Sequence, residues 1–117
     1  MILVDTSVWV EHLRSGLPRL VLLLEEGAVA VHPWVIGELA CGNLSHRHRV
    51  ISLLQGLPEV AVASPAEALL LIEQEQLMGR GIGYVDVHLL CSARLSTSRL
   101  WSLDRRLVVV AAELGLA

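Results

Sequence analysis

Lysine and phenylalanine are both missing from this chain of 117 residues, and aromatic side chains are scarce, at three Trp and one Tyr. The hydrophobic core therefore has to be aliphatic, built from the Leu, Val and Ala residues that dominate the sequence. This composition suits a parallel sheet, whose strands are buried on both faces and consist of short Val, Ile and Leu runs. With 54% apolar and 18% charged residues, an intrinsically disordered chain is excluded.

Cysteine is also rare, and no apolar run is long. Cys41 and Cys91 have neither the spacing of a zinc site nor that of a Cys-x-x-Cys redox pair, so we expect two buried thiols that pack as small hydrophobes. The longest uncharged stretch, Gly27 to Gly37, falls far short of the roughly 20 residues that a membrane helix needs. The first residues lack the basic leader of a secretory signal. We therefore expect a cytoplasmic protein with no membrane contact.

Positive charge is in deficit, with a net charge of −3, which is the opposite of what nucleic-acid-binding proteins usually carry. Metal ions bound to acidic side chains would change that balance, so the net charge alone does not exclude nucleic acid. The most basic patch is His46–Arg49, which we interpret as the solvated start of a helix.

Short apolar strands alternate with helical segments along the chain. Strands are predicted at Ile2–Val4, Ala28–Val31, Glu59–Ala63 and Arg99–Leu103. Helices are predicted at Ser7–Leu13, Leu17–Glu26, Pro33–Cys41, Ser45–Leu54, Pro65–Met78, Tyr84–Leu95 and Arg105–Leu114. This alternation predicts an α/β sandwich around a central, mostly parallel sheet that is flanked by helices.

The only three aspartates lie where ligands bind in such a fold, beyond the carboxyl ends of the strands. Asp5 ends the first predicted strand, Asp104 ends the last, and Asp86 lies in the first helical turn after the Gly79–Gly83 loop. Helix capping would explain each of them singly. Glu38 shares a helix face with apolar neighbours, where a charge is costly unless it is paired or bound to a metal; the alternative is a solvated Glu at the edge of that face.

Taken together, the four acids point to a metal site. Two carboxylates about 4 Å apart repel by roughly 4 kcal/mol at an effective dielectric of about 20, and no lysine is available to relieve them. Mg²⁺ or Mn²⁺ prefers such oxygen ligands and can activate water for attack on a phosphodiester. Neighbouring hydroxyls, which also suit helix capping, are expected to orient the carboxylates. They belong to Thr6, Ser7 and Ser102.

These segments resemble the motifs of the PIN-domain nucleases, and in particular of bacterial VapC toxins. Val4–Trp9 (VDTSVW) looks like the opening that contains the first catalytic Asp, and Glu38–Gly42 (ELACG) matches the E-L-x-x-G helix that carries the second acid. Asp86, before an apolar helix with Ala93, matches the third acid, and Ser102–Asp104 (SLD) the fourth. Ser102 stands where the family often has Thr, and Leu107 where an aromatic residue is common.

The resemblance, which spans nearly the whole chain, implies a PIN-like three-layer sandwich that forms a single domain over residues 1–117. It also implies a Mg²⁺- or Mn²⁺-dependent endoribonuclease with Asp5, Glu38, Asp86 and Asp104 as catalytic metal ligands. RNA is the implied substrate, a cognate antitoxin is the implied protein partner, and a homodimer is the implied assembly. The arginines expected to touch RNA, although a plain surface role stays open for each, are Arg14, Arg80, Arg105 and Arg106.

Other α/β protein classes with aspartates at strand ends lack their required residues in this sequence. Receiver domains and haloacid-dehalogenase-type phosphatases normally use a lysine in the site, a P-loop ATPase needs Gly-Lys-Ser/Thr, and no Gly-x-Gly-x-x-Gly follows the first strand. The remaining alternative is a catalytically inactive PIN-like module whose acidic pocket docks an arginine of a partner protein. All four acids are present, and this favours the enzyme.

Overall fold

Seven helices and three short strands make up the structure, a computed structural model that describes residues 1–117. The strands are β1 (Ile2–Val4), β2 (Val29–Ala30) and β3 (Arg99–Trp101). The helices are α1 (Thr6–Ser15), α2 (Pro18–Glu25), α3 (Pro33–Ala40), α4 (Arg47–Gln55), α5 (Pro65–Glu75), α6 (Tyr84–Leu95) and α7 (Arg105–Glu113). This is the α/β architecture that the alternation of segments predicts.

The sheet is parallel throughout, with the order β2-β1-β3. The first strand of the chain is therefore the central one, and its residues Leu3 and Val4 are completely buried. Beyond β1 the pairing with β3 continues for one more bond, because the amide of Asp5 donates to the carbonyl of Trp101 at 2.9 Å. The carboxyl ends of β1 and β3 consequently meet at one edge of the sheet.

The third predicted strand, Glu59–Ala63, was wrong as a strand. Only a single parallel bridge joins Glu59 to Val31 beside β2. Beyond it, the amides of Ala61 and Ala63 donate to the side-chain hydroxyls of Ser96 and Ser92, at 2.8 and 3.1 Å, instead of to a neighbouring strand. This segment therefore runs along the edge of the sheet and is fastened to α6 and its C-terminal cap.

One cluster of 25 buried apolar residues forms the core, and Trp9 supplies its only aromatic ring. Helix α6 is the most deeply buried helix, with every residue from Val87 to Ala93 inside the molecule. Cys91 lies in this stretch as expected, but Cys41 is exposed at the C-terminal end of α3, so the prediction of two buried thiols was wrong for Cys41. None of the helices combines the length and apolar character needed to span a bilayer.

Candidate functional site: four carboxylates at the carboxyl edge of the sheet

Asp5 is the most firmly held of the acidic residues. It is 6% exposed, and its Oδ2 accepts hydrogen bonds from the hydroxyls of Ser7 and Ser102, both at 2.7 Å. Its Oδ1 accepts the amide of Thr6 at 2.8 Å, so Asp5 also caps α1. The two serines, 95 positions apart in the chain, thus fix the carboxylate on both sides of the β1–β3 junction.

Glu38 reaches the same region from α3. Its Oε1 accepts a hydrogen bond from the hydroxyl of Thr6 at 2.8 Å, which joins the acid to the residue directly after Asp5. The side chain is exposed, so the argument that burial forces Glu38 to find a partner was wrong. Its position beside α1, and not an apolar environment, is what ties it to Asp5.

Asp86 and Asp104 both cap helices, as the ordinary explanation of their positions anticipates. Asp86 accepts the amide of Gly83 through Oδ2 at 2.9 Å, and Asp104 accepts the amides of Arg106 and Leu107 through Oδ1 at 3.0 and 3.2 Å. In each residue the other carboxylate oxygen has no hydrogen-bond partner. Capping therefore uses half of each carboxylate and leaves the other half open.

Electrostatics shows that the four acids share one region. Partial burial is the main reason why the pKa of Asp86 is raised above its ordinary value, and the hydrogen bond from Gly83 partly opposes it. The charges of the other three acids raise this pKa further. They are, in decreasing order of effect, Asp5, Asp104 and Glu38. No positive side chain pairs with any of the four, since all three ion pairs lie elsewhere.

The four arginines named from the sequence differ in availability. Arg14 pairs with Glu11 at 2.6 Å, and Arg80 pairs with Glu113 through two hydrogen bonds at 2.8 and 2.9 Å. Arg105 and Arg106 form no ion pair, and both line a shallow cavity together with Arg80. Arginines without an acidic partner are therefore present on the first turn of α7, directly after Asp104.

The sequence as a whole matches one family and two named relatives. The model of the family described as "PIN domain" matches residues 2–113. The chain belongs to the PIN-domain family. Two relatives named Ribonuclease VapC32, from Mycobacterium tuberculosis strains CDC 1551 / Oshkosh and ATCC 25618 / H37Rv, are each 48% identical over 118 aligned residues, which cover 100% of this chain and 95% of the relative. The prediction of a VapC-like PIN domain is thereby confirmed.

The acids of this PIN domain suit a hard divalent cation by their chemistry, although their side chains are not arranged around one. No group of three or more His, Cys, Asp or Glu side chains is placed to hold a metal ion. Three carboxylate oxygens nevertheless lack any hydrogen-bond partner, on Glu38, Asp86 and Asp104. Because Glu38 and Asp104 are exposed, both side chains have room to turn toward an ion beside Asp5 and Asp86.

The sequence does not predict one cluster of aromatic and histidine side chains in this PIN domain. Trp34 and Tyr84 contact each other across α3 and α6, with ring centroids 6.5 Å apart, and the buried ring of His88 lies behind them. The ring centroid of His32 lies 5.6 Å from that of Trp34. The four-residue spacing of Tyr84 and His88 indicates that they share a helix face, but nothing in the sequence pairs that face with Trp34.

Proposed function

We propose that this chain is a Mg²⁺- or Mn²⁺-dependent endoribonuclease that acts as the toxin of a toxin–antitoxin pair. The residues proposed to hold the ion are Asp5, Glu38, Asp86 and Asp104. The observation that carries the proposal is the hydrogen-bonded arrangement in which Ser102 joins Asp5 to Asp104 and Thr6 joins Glu38 to the residue after Asp5, while no cation pairs with these acids. The charges of all three also contribute to the raised pKa of Asp86. Relatives named as ribonucleases, at 48% identity over their nearly full length, support the RNA substrate.

The residues around the acids have separate tasks in this proposal. Ser7 and Ser102 keep the Asp5 carboxylate in one orientation, and Thr6 holds Glu38 beside it. A divalent ion bound there would supply a more acidic bound water and stabilise charge on the departing oxygen of the phosphodiester. Arg105 and Arg106, which have no acidic partner, are proposed to bind the RNA backbone next to Asp104. Arg14 and Arg80 would first have to leave their glutamates.

The partners belong to the same proposal. The VapC name of the relatives supports a cognate antitoxin as a partner. We propose that this antitoxin occupies the acidic region and offers an arginine to it. We propose that the chain forms a homodimer, which sedimentation velocity would measure directly. We also propose that it acts on RNA in the cytoplasm. Apolar side chains for such contacts are exposed on three helices, since Leu22 on α2, Leu53 on α4 and Leu69 on α5 are each more than half exposed.

Cleavage of a 5′-labelled single-stranded RNA tests the proposal. We expect product with Mg²⁺ or Mn²⁺, none with EDTA, and at least a hundredfold loss of rate in Asp5→Ala and in the nearly isosteric Asp5→Asn. The matched control is Glu73→Gln, which neutralises an exposed acid on α5 and is expected to cleave at the wild-type rate. Undiminished cleavage in EDTA, or by a folded Asp5→Asn variant, would rule the proposal out.

The second candidate function is a non-catalytic module whose acids dock an arginine of a partner. The absence of any three side chains arranged around an ion favours it. It predicts that an arginine-containing peptide binds equally well with EDTA and with Mg²⁺, and that no RNA is cleaved under either condition. The enzyme proposal predicts instead that Mg²⁺ competes with the peptide.

A further inference from the structure

Two of the four aromatic side chains in this chain are exposed, and they are exposed together. Trp34 is 38% and Tyr84 46% accessible, whereas Trp9 is buried in the core. Trp101 is half-buried, with the guanidinium of Arg19 4.5 Å from its ring centre. The Trp34 and Tyr84 rings are tilted by 45° at a centroid distance of 6.5 Å, so they form one continuous aromatic surface on the outside of the molecule.

Buried histidines hold these two rings in place. The ring centre of His88 lies 4.3 Å from that of Trp34 and 4.5 Å from that of Tyr84, while neither nitrogen of His88 has a hydrogen-bond partner. The ring of His88 is completely buried and packs against both rings as an aromatic side chain does. The backing fixes Trp34 and Tyr84 before any ligand arrives, which reduces the entropy that a binding partner has to overcome.

The aromatic surface adjoins the acids along α3. Trp34 lies one turn before Glu38 on α3, a separation of roughly 6 Å along the helix axis, and side chains four residues apart share a face. Tyr84 and Asp86 lie in the same first turn of α6. The charge of Glu38 contributes to the raised pKa of Asp86, so the two acids lie in the same region. A ligand on the rings therefore extends directly into the acidic region.

We propose that the Trp34–Tyr84 surface stacks an unpaired base of the RNA and thereby positions the neighbouring phosphate at the acids. This inference rests on the proposed nuclease function and names the form of RNA that the site accepts. Aromatic faces stack on every base and recognise unpaired nucleotides, since bases within a duplex already stack on each other. A chain with a net charge of −3 gains little from phosphate attraction, so contacts to the bases have to contribute more.

Binding measured without cleavage tests the inference. In an Asp5→Asn background with Mg²⁺, the affinity for a fluorescein-labelled single-stranded RNA is measured by anisotropy for Trp34→Leu and Tyr84→Leu. We expect each substitution to weaken binding about tenfold, in line with stacking contributions of other proteins. Trp34→Phe and Tyr84→Phe keep an aromatic face and are expected to stay within about threefold of the Asp5→Asn parent. RNA should also quench the fluorescence of Trp34, the most exposed tryptophan.

Abasic RNA separates base stacking from every other effect. RNA with abasic sites along its length should bind the Asp5→Asn parent about as weakly as intact RNA binds the Trp34→Leu variant. Trp34→Leu should not lower the affinity for this abasic RNA any further. A blunt-ended RNA duplex should bind equally well to the Asp5→Asn parent and to the Trp34→Leu variant. The inference is wrong if Trp34→Leu leaves the affinity for single-stranded RNA unchanged. It is also wrong if Trp34→Leu weakens the binding of abasic RNA as much as the binding of intact RNA.

The outcomes also distinguish this inference from the function beneath it. If the wild-type chain binds RNA by stacking but cleaves none, the nuclease proposal is wrong and the inference about the aromatic surface stands. If wild type cleaves RNA and both leucine variants keep their RNA affinity, the nuclease proposal stands and the inference about the aromatic surface is wrong. If the leucine variants instead lose self-association in sedimentation and keep RNA affinity, the surface is an interface between two copies of the chain and the RNA inference fails.

Discussion

Asp5 shows how much of the candidate site depends on single hydroxyl groups. The hydroxyl of Ser102 donates to Asp5 and also accepts the amide of Asp104 at 3.0 Å, so one side chain connects two of the four acids. Ser7 makes a parallel link, because its hydroxyl donates to Asp5 and accepts the amide of Leu103. These contacts orient the acids without neutralising them, which is what a metal ligand requires of its neighbours.

Replacement of Ser102 by Ala should therefore lower activity without unfolding the protein. Loss of such an orienting partner typically costs about 10- to 100-fold in metal affinity or rate. We expect a decrease of that size in RNA cleavage for Ser102→Ala, and a smaller one for Ser102→Thr, which keeps the hydroxyl. Ser98→Ala removes another buried serine hydroxyl at the start of β3 and is the control, with wild-type cleavage expected. Equal rates for Ser102→Ala and Ser98→Ala would contradict the orienting role.

The sequence predicts the positions of the acids better than their surroundings. Asp5 and Asp104 follow from the rule that parallel strands end at the same edge, and Asp86 follows from the helix start after a glycine-rich loop. The contact between Thr6 and Glu38 does not follow, because it depends on how α1 packs against α3. The assumed burial of Glu38 failed for the same reason, since a helix face is buried only where another element covers it.

Among the elements, the loop before α6 is shaped by a glycine that touches α7. Gly81 has a φ of +79°, and a Cβ there would lie 2.7 Å from Nη1 and 2.8 Å from Cδ of Arg106. Gly79 has a similar φ of +71° but open space around it. The close approach of the loop to Arg106 is thus specific to Gly81.

We expect Gly81→Ala to displace Arg106 as well as strain the loop. Backbone strain at positive φ costs on the order of 1–2 kcal/mol, and Gly79→Ala should show this cost alone in urea unfolding. Gly81→Ala should lose more, and the excess should disappear when Arg106 is also changed to Ala. A Gly81→Ala variant no less stable than Gly79→Ala would show that Arg106 moves aside freely.

His32 makes the start of α3 sensitive to pH. Its Nδ1 accepts the amide of Trp34 at 3.0 Å, so it caps the helix, while its buried Nε2 has no partner. Burial, and next the charge of His88, lower its pKa to about 4 from 6.5. The unfolded chain therefore binds more protons between these two pH values. The stabilisation is complete above pH 6.5 and is lost as the pH falls toward 4.

His32→Asn should flatten this pH dependence, because Asn keeps a capping oxygen and does not titrate. Wild type is expected to lose up to about 1.4 kcal/mol of unfolding free energy per pH unit below pH 6.5 through this histidine, and the variant correspondingly less. His88, whose pKa burial also lowers, should account for part of the remaining slope. Urea titrations at pH 7, 6 and 5 measure the difference, with exposed His48→Asn as control. Parallel slopes for His32→Asn and wild type would refute the assignment.

The order of helices and strands was predictable from the sequence, whereas the ends of some elements were not. Helix α5 stops at Glu75 instead of Met78, because Gln76 adopts a left-handed conformation that a local pattern does not reveal. The predicted strand Glu59–Ala63 has the right apolar residues but finds serine hydroxyls of α6 and its cap in place of a strand partner. The second difference is decided by contacts between distant segments.

On the scale of the whole molecule, the unpaired acids oppose folding unless a cation joins them. Mg²⁺ or Mn²⁺ should therefore raise the melting temperature of the wild type, by the equivalent of about 2.7 kcal/mol at a hundredfold excess over Kd. Asp86→Asn keeps an acceptor for the amide of Gly83 and removes one charge. We expect this variant to melt above wild type in EDTA and to gain less from metal, while Glu73→Gln behaves as wild type. A metal shift of equal size in Asp86→Asn would place the ion elsewhere.

The sheet order has a consequence for synthesis of the protein. Of the three strands, β1 is synthesised first and lies in the middle of the sheet, yet one of its neighbours, β3, is synthesised last. A growing polypeptide thus carries Asp5 well before Ser102 and Asp104 exist to complete its setting. If the four acids cut RNA, a polypeptide that still lacks β3 is therefore expected to be inactive, because Asp5 has neither Ser102 nor Asp104 beside it.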